Sequence, residues 1–491
     1  MSVRIAHRFA SQLPPDDDHP YRTGAWRPNL VEYDADELTV LEGHIPRDLD
    51  GVYLRNTENP LLPSIGRYHP FDGDGMVHAI RFRDGAASYR NRVVRTRGLA
   101  AELAAGAPQW AGIIEAPSAS LRDGWGARTR MKDASSTDVV VHAGKALTTF
   151  YQCGDAYQLD PVTLAQEGPA TWGGRFPAWG ISAHPKLDEV TQELMWFAYS
   201  KEAPYLRYGV LDARGALVHE VPVALPGPRL PHDMAFTEHY AILNDFPVFW
   251  DAALLEKGVH RPRFYSQMPS RFAVIPRRGA AHEARWFEAE PTYVLHFINA
   301  FEEGDEVVLD GFFQRDPMPR PSPEDGVWGP LMKQVDLAAM GTRARRWRFD
   351  LRTGRTREEP LSDLCCEFPS INGRHGGRPY RYAYVMTAKP GWFLFDGLAR
   401  LDTLTGRTER YAFPEGVYAS ESPMAPRLGA RAEDDGYVVT FVSDVRSDRS
   451  ECQVFDAAHV ADGPVARVAL PERICSGTHA CWAPRGALHG A

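Results

Sequence analysis

Short β-rich runs, scarce helical periodicity and a weak internal repeat predict an all-β fold for this 491-residue chain. The repeat favours a propeller over a sandwich or a plain barrel. Trp347-Arg-Phe-Asp-Leu-Arg-Thr-Gly-Arg-Thr356 returns as Leu398-Ala-Arg-Leu-Asp-Thr-Leu-Thr-Gly-Arg-Thr408, and the turn glycines Gly354 and Gly406 lie 52 residues apart. A period near 50 suits blades of about four strands each.

The elements follow in chain order. Residues 1–21 carry Arg4 and Arg8, then turn acidic and proline-rich over 14–20. They lack an apolar core of secretory length, so no leader is expected. Residues 97–130 read as a short helix and a long loop holding Trp110, Ile113 and Ile114. Strands are expected over Ala146–Tyr151, Glu193–Tyr199, Tyr240–Leu243, Glu306–Leu309 and Tyr437–Val442. Looser echoes of the Asp-x-x-Thr-Gly turn fall at Asp160–Leu164 and Leu211–Gly215. Glycine at the end of such a turn supplies positive φ. Residues 312–335 are rich in proline and acid. Both irregular stretches, 97–130 and 312–335, are expected to cap one face of a single domain spanning 1–491, because radial repetition lets one unit grow this long.

Composition narrows the function. Hydrophobic residues make up 44% and charged residues 24%, enough for a large core. The net charge of −9 and the absence of any Lys/Arg run speak against nucleic acid. No apolar stretch approaches membrane-spanning length. Six cysteines show no CxxC pair and read as reduced thiols, which fits a cytoplasmic protein. Neither a Rossmann fingerprint nor a P-loop is present.

Four histidines carry the functional reading. His184, His232, His296 and His479 are separated by 48, 64 and 183 residues, and each lies in a short apolar, strand-like segment. A closed β architecture is the arrangement that points such segments at one centre. Four neutral imidazoles there suit a borderline transition metal.

Several stretches, in order and over almost the whole length, are similar to the carotenoid cleavage oxygenase family. They are Gly51–Pro60 with Tyr68–His78, Ser136-Thr-Asp-Val-Val140, Ala183-His-Pro-Lys186, Pro231-His-Asp-Met234 and His296-Phe-Ile-Asn-Ala300. Cys366–Asn372, Arg378–Tyr382, Glu421–Arg427 and His479-Ala-Cys-Trp-Ala-Pro484 complete the series. The resemblance implies a seven-bladed β-propeller with a helical and loop cap over its top face. It implies one Fe(II) per chain, held by His184, His232, His296 and His479. Glu367 and Glu421 match carboxylates that accept the outer ring N–H of ligating histidines. Gln152 stands where a third carboxylate is expected, and its amide oxygen can still accept that hydrogen bond. His78 lies in a matching motif but not at a ligand position, so packing or hydrogen bonding is its expected role.

The implied activity is cleavage of a conjugated C=C bond by O₂ into two carbonyl products, with no external cosubstrate. Closure to a dioxetane and attack by water are rival routes. Such chemistry asks the protein to place one double bond and exclude water. Tyr151, Phe236, Phe297 and Phe301 are the expected substrate-binding residues. Tyr151 replaces a lysine found in hydroxystilbene-cleaving relatives. The substrate is expected to be a carotenoid or apocarotenoid, or a phenolic aryl alkene of the stilbene or 4-vinylphenol type. Restriction to small lignin-derived phenylpropenoids is one alternative. A propeller serving purely as a binding scaffold is another, and retention of four histidines with Glu367 and Glu421 counts against it. A weak peripheral membrane contact around Trp110, Ile113 and Ile114, and a monomer or homodimer, complete the expectations.

Overall fold

The computed structural model describes residues 2–124 and 131–488. The chain folds as two compact units, Met1–Ala183 with Ala213–Gly215 and Tyr411–Ala491, and His184–Asp212 with Ala216–Arg410.

The first unit holds a six-stranded antiparallel sheet. Its order is Ser2–Arg8, Val31–Glu37, Ala86–Val93, Asp74–Arg83, Gly51–Asn59 and Gly477–Pro484. The last pairing joins opposite ends of the chain: Ala480 faces Arg55 and Trp482 faces Tyr53. Sequence pattern explains the strands. Along Ala86–Val93, Ala87, Tyr89, Asn91 and Val93 are buried while the alternate residues reach outward, the period-two signature of a strand with one packed face. Every residue of Gly51–Asn59 is buried, as a central strand requires. A four-stranded meander runs from Asp138–His142 to Gln166–Pro169. Val417–Ala419, Gly436–Asp444, Arg449–Asp456, Pro464–Ala469 and Val40–Gly43 are neighbours in that order within a larger sheet. Tyr53, Phe82, Phe441 and Trp482 lie in one hydrophobic cluster of this unit.

The second unit is built from antiparallel meanders. They start at Lys186–Asp188, Ala235–Phe236, Phe297–Glu303 and Cys366–Ser370. One of its hydrophobic clusters includes Phe272, Phe297, Trp347 and Phe349.

The recurrent turn is the clearest local rule. Asp350 Oδ1 accepts the N–H groups of Arg352 and Thr353, both at 2.8 Å, and the Gly354 N–H reaches the Asp350 carbonyl at 2.9 Å. Asp402 makes the same set with Leu404, Thr405 and Gly406. Asp160 and Asp188 repeat it with Leu164 and Gln192 in the last place, at φ 57° and 59°. The aspartate is therefore the constant part of the motif. Glycine merely removes the steric cost of positive φ, which Gly354 and Gly406 take at 75° and 70°.

The expected helix forms at Arg97–Ala105, with Thr96 Oγ1 accepting the Leu99 N–H and Gly106 ending it at φ 66°. Of the segment expected to offer an apolar patch, Trp110 is buried at 2% exposure, while Ile113 and Ile114 are half-buried. Residues 125–130 of that stretch lie outside the described residues. The 312–335 insertion begins later than expected, since the Glu306–Phe313 strand runs on through Phe313; a short helix follows at Gly329–Lys333. Among the described residues none of the six cysteines forms a disulfide. Among the described residues no helix is long and apolar enough to cross a membrane.

Candidate metal centre

In the second unit, His184, His232 and His296 converge. One ring nitrogen from each lies within 4.8 Å of the other two, and all three residues are buried. The Nε2 atoms of His184 and His232 stand 3.3 Å apart. The ring centroids are 4.9 to 5.3 Å from one another.

The strand-like expectation for these segments needs correction. Of the four histidines, His479 alone sits within a strand, Gly477–Pro484. His184, His232 and His296 occupy the connections that lead into Lys186–Asp188, Ala235–Phe236 and Phe297–Glu303. The reason is geometric. Side chains inside a strand point to the faces of their sheet, whereas a residue just before the first strand can aim its ring off the sheet's end. His184 takes φ 62°, a left-handed conformation that a non-glycine residue adopts at a cost of roughly 1–3 kcal/mol.

His296 is oriented from behind. Its Nδ1 lies 2.5 Å from Glu367 Oε2, and the same oxygen accepts the Phe368 N–H at 2.8 Å. Glu367 is 1% exposed. With Nδ1 committed to a carboxylate, Nε2 is left to face the other two rings. Phe368, itself at φ 53°, stacks on the His296 ring at 5.2 Å. Phe393 and Phe395 meet Phe368 edge-on, so the third imidazole has an aromatic wall. This donor set fits a transition ion: neutral imidazole nitrogens suit iron, zinc, copper or nickel. An Nε2–Nε2 approach of 3.3 Å is one that a shared proton or a shared cation can bridge.

In the first unit, His479 shows the same arrangement. Its Nδ1 is 3.1 Å from Glu421 Oε2, which also accepts the Ala480 N–H at 2.7 Å. Burial lowers the affinity of this imidazole for a proton, but the charge of Glu421 and the hydrogen bond to it outweigh burial and raise the pKa.

Gln152 and Tyr151 also belong to the first unit. Gln152 is 3% exposed, in a turn anchored by Gly154, which exchanges two 3.0 Å backbone hydrogen bonds with Ile181. A Cβ on Gly154 would lie 2.4 Å from the Asp133 carboxylate, so a side chain there would force that carboxylate to move. Tyr151 packs with Phe150, Ala134 and Ala183, against Phe71 and Ile113, and its carbonyl accepts the Ser182 hydroxyl at 3.0 Å. The other expected substrate residues lie in the second unit. Phe297 and Phe301 are in hydrophobic clusters, and Phe236 has the Arg277 guanidinium over its ring at 5.0 Å. His78 is fully buried and hydrogen-bonds Tyr89 through Nδ1 at 2.7 Å, as its expected packing role requires.

Two features had no sequence-level assignment. One is the joining of Phe393 and Phe395 to Phe368, 25 residues earlier, a separation over which aromatic content alone does not group them. The other is Asp233. It sits beside His232 in the Pro231–Met234 motif, and that adjacency was the available signal.

The retinal pigment epithelial membrane protein family model matches residues 26–484. A carotenoid 9,10(9′,10′)-cleavage dioxygenase of Phaseolus vulgaris is 31% identical, over 96% of this chain and 90% of its own. An isoeugenol monooxygenase of Pseudomonas nitroreducens is 29% identical, over 95% and 98% respectively. Among solved structures, the Pseudomonas brassicacearum lignostilbene dioxygenase superposes with a TM-score of 0.84 at 28% identity, covering 96% of this chain and all of that one.

Proposed function

Because the chain belongs to the retinal pigment epithelial membrane protein family, that of the carotenoid cleavage oxygenases, and is an alkene-cleaving dioxygenase, we propose that its reaction centre is one Fe(II) held by His184, His232, His296 and His479. The observation that carries the proposal is the convergence of three buried imidazoles, one of them held from behind by Glu367. His479 enters as the fourth ligand on its sequence motif and its matching contact with Glu421. The sheets are proposed to be blades of a seven-bladed propeller, with 97–130 and 312–335 contributing the cap.

Iron, when bound, supplies a place where O₂ is activated next to an electron-rich double bond. The protein's own residues do the rest. Glu367 and Glu421 each keep an Nδ1 proton in place, so that the far nitrogen presents a lone pair. Phe368, backed by Phe393 and Phe395, excludes water from one side of the His296 ring. No residue is required to act as general acid or base on a C=C bond whose electrons come from the substrate.

The substrate is proposed to be a carotenoid, an apocarotenoid or a phenolic aryl alkene. Tyr151, standing where hydroxystilbene-cleaving relatives carry a lysine, weakens a strict hydroxystilbene reading but leaves other phenolic alkenes open, because a phenol can hydrogen-bond the polar end of a short substrate. The enzyme is proposed to work in the cytoplasm. Iron-loaded protein should be given apocarotenals, hydroxystilbenes and 4-vinylphenols in turn, and the products weighed by mass spectrometry. Two carbonyl fragments from one class, with O₂ consumed, is the expected result. No cleavage of any alkene by protein carrying stoichiometric iron would return the chain to the scaffold reading.

A further inference from the structure

We propose that Asp233 is a positioning residue of the metal centre: its carboxylate sets the mutual register of the three loops that carry His184, His232 and His296. The inference rests on the metal reading above and concerns the second unit alone.

Each of the three loops contributes to one buried carboxylate. Asp233 follows His232 directly in the chain and is 1% exposed. Its Oδ1 lies 2.7 Å from the Lys186 ammonium, two residues after His184. Its Oδ2 accepts the backbone N–H of Phe297, the residue after His296, at 2.8 Å. Its own main chain is tethered as well, since Asn244 Nδ2 donates to the Asp233 carbonyl at 2.7 Å. The carboxylate thus reaches both other ligand loops within two residues of the histidine.

This placement has a consequence for the ligands. Loops that enter different sheets have no shared hydrogen-bond ladder to align them. Ligand nitrogens a few ångströms apart nonetheless need placement to about half an ångström. One carboxylate with two charge-assisted or backbone hydrogen bonds supplies that alignment. It also offsets a local cost: the left-handed conformation of His184 persists only if neighbouring contacts over-determine it, and the Lys186–Asp233 pair is such a contact. A buried ion pair in general is weak evidence for stability, so a role in alignment explains its presence better than a role in holding the fold.

The test uses Co(II) on metal-free full-length protein, because its visible spectrum reports ligand geometry without turnover. Affinity is measured by competition with a chelator. In Asp233→Asn the amide can still accept from Phe297, but its NH₂ confronts the Lys186 ammonium. In Lys186→Met the other arm is lost. Each variant should weaken Co(II) binding by roughly tenfold to a hundredfold and change its spectrum. The double variant should be no worse than the poorer single one, since both changes break the same link. Wild-type affinity and spectrum in Asp233→Asn would overturn the proposal. So would a lower melting temperature of the metal-free variant with an unchanged Co(II) spectrum, which is the mark of a merely structural pair. If Asp233→Asn does not fold, Lys186→Met decides by the same two readouts. Failure of the wild type itself to bind Co(II) would instead sink the metal reading and this inference with it.

Discussion

At the scale of single residues, the chemistry turns on what stands behind each imidazole. Glu367 serves two donors through one oxygen, His296 Nδ1 and the Phe368 N–H. Glu367→Gln keeps an acceptor but removes the charge, so iron affinity or activity should fall by roughly 10- to 100-fold. Glu421→Gln should act in the same direction and more weakly, because its contact with His479 is longer, 3.1 Å against 2.5 Å. Iron content after dialysis and O₂ uptake measure both; wild-type behaviour in both variants would refute the carboxylate roles. Tyr151→Phe keeps the packing and removes a hydroxyl. It should lower kcat/KM for a phenolic alkene by about tenfold, the worth of one hydrogen bond, and leave a long polyene unaffected. Equal rates on the phenolic alkene before and after would remove Tyr151 from the binding site. Replacing any one of His184, His232, His296 or His479 by Ala should abolish activity and lower iron occupancy. Full activity in two of the four would undo the ligand set.

At the scale of elements, the recurrent aspartate turn explains why the chain reads as a repeat. Asp402 satisfies Leu404 and Thr405 N–H groups that the hairpin would otherwise leave to solvent, and Arg381 also binds its other oxygen at 2.8 Å. Asp402→Ala should cost about 1 kcal/mol of stability, comparable with loss of a helix cap. Denaturant unfolding measures it, and no change would mean that water serves those N–H groups equally well. The same turn shows the limit of sequence reading. Asp-x-x-Thr-Gly was recognisable at 350–354 and 402–406 because glycine marked it. At Asp188 the last place is Gln192, which sequence pattern gives no reason to put at positive φ. Likewise, apolar neighbours suggested strands around His184, His232 and His296, and each proved to lie just outside one. Buried loops and buried strands share a composition, so the pattern alone does not separate them.

At the scale of the molecule, long-range ion pairs hold distant segments together. Asp188 is fully buried and bound by Arg277 at 2.7 Å and Arg378 at 3.0 Å, joining three parts of the second unit. Burial alone would raise its carboxyl pKa, but the hydrogen bonds from Arg378 and Arg277 outweigh it and hold the group at about 2. The folded value lies below the unfolded one of about 3.9, so this stabilisation is present above pH 4 and is lost as the pH falls through 2. It amounts to on the order of 1–2 kcal/mol after allowance for solvent screening. Thermal melts of wild type and Asp188→Asn should therefore differ at pH 6 and converge toward pH 2. A constant difference across that range would show that Asp188 is not the titrating group.

The sequence by itself determined the mostly-β class, the glycine-marked turns at 350–354 and 402–406 and the family, and it singled out His184, His232, His296, His479, Glu367 and Glu421 as the candidates. These follow from local rules and from motifs a few residues long, because period-two burial, left-handed turns and ligand chemistry are properties of short segments. Tertiary structure decided what needs several distant segments at once. It placed three histidines ahead of their strands and set one of them in a left-handed conformation. It also stacked Phe368 on His296 and brought Lys186, Asp233 and the Phe297 N–H together. The physical reason is that the direction of a side chain at the end of a strand is set by how neighbouring sheets pack. That information is spread over some two hundred residues of the second unit and resides in no motif.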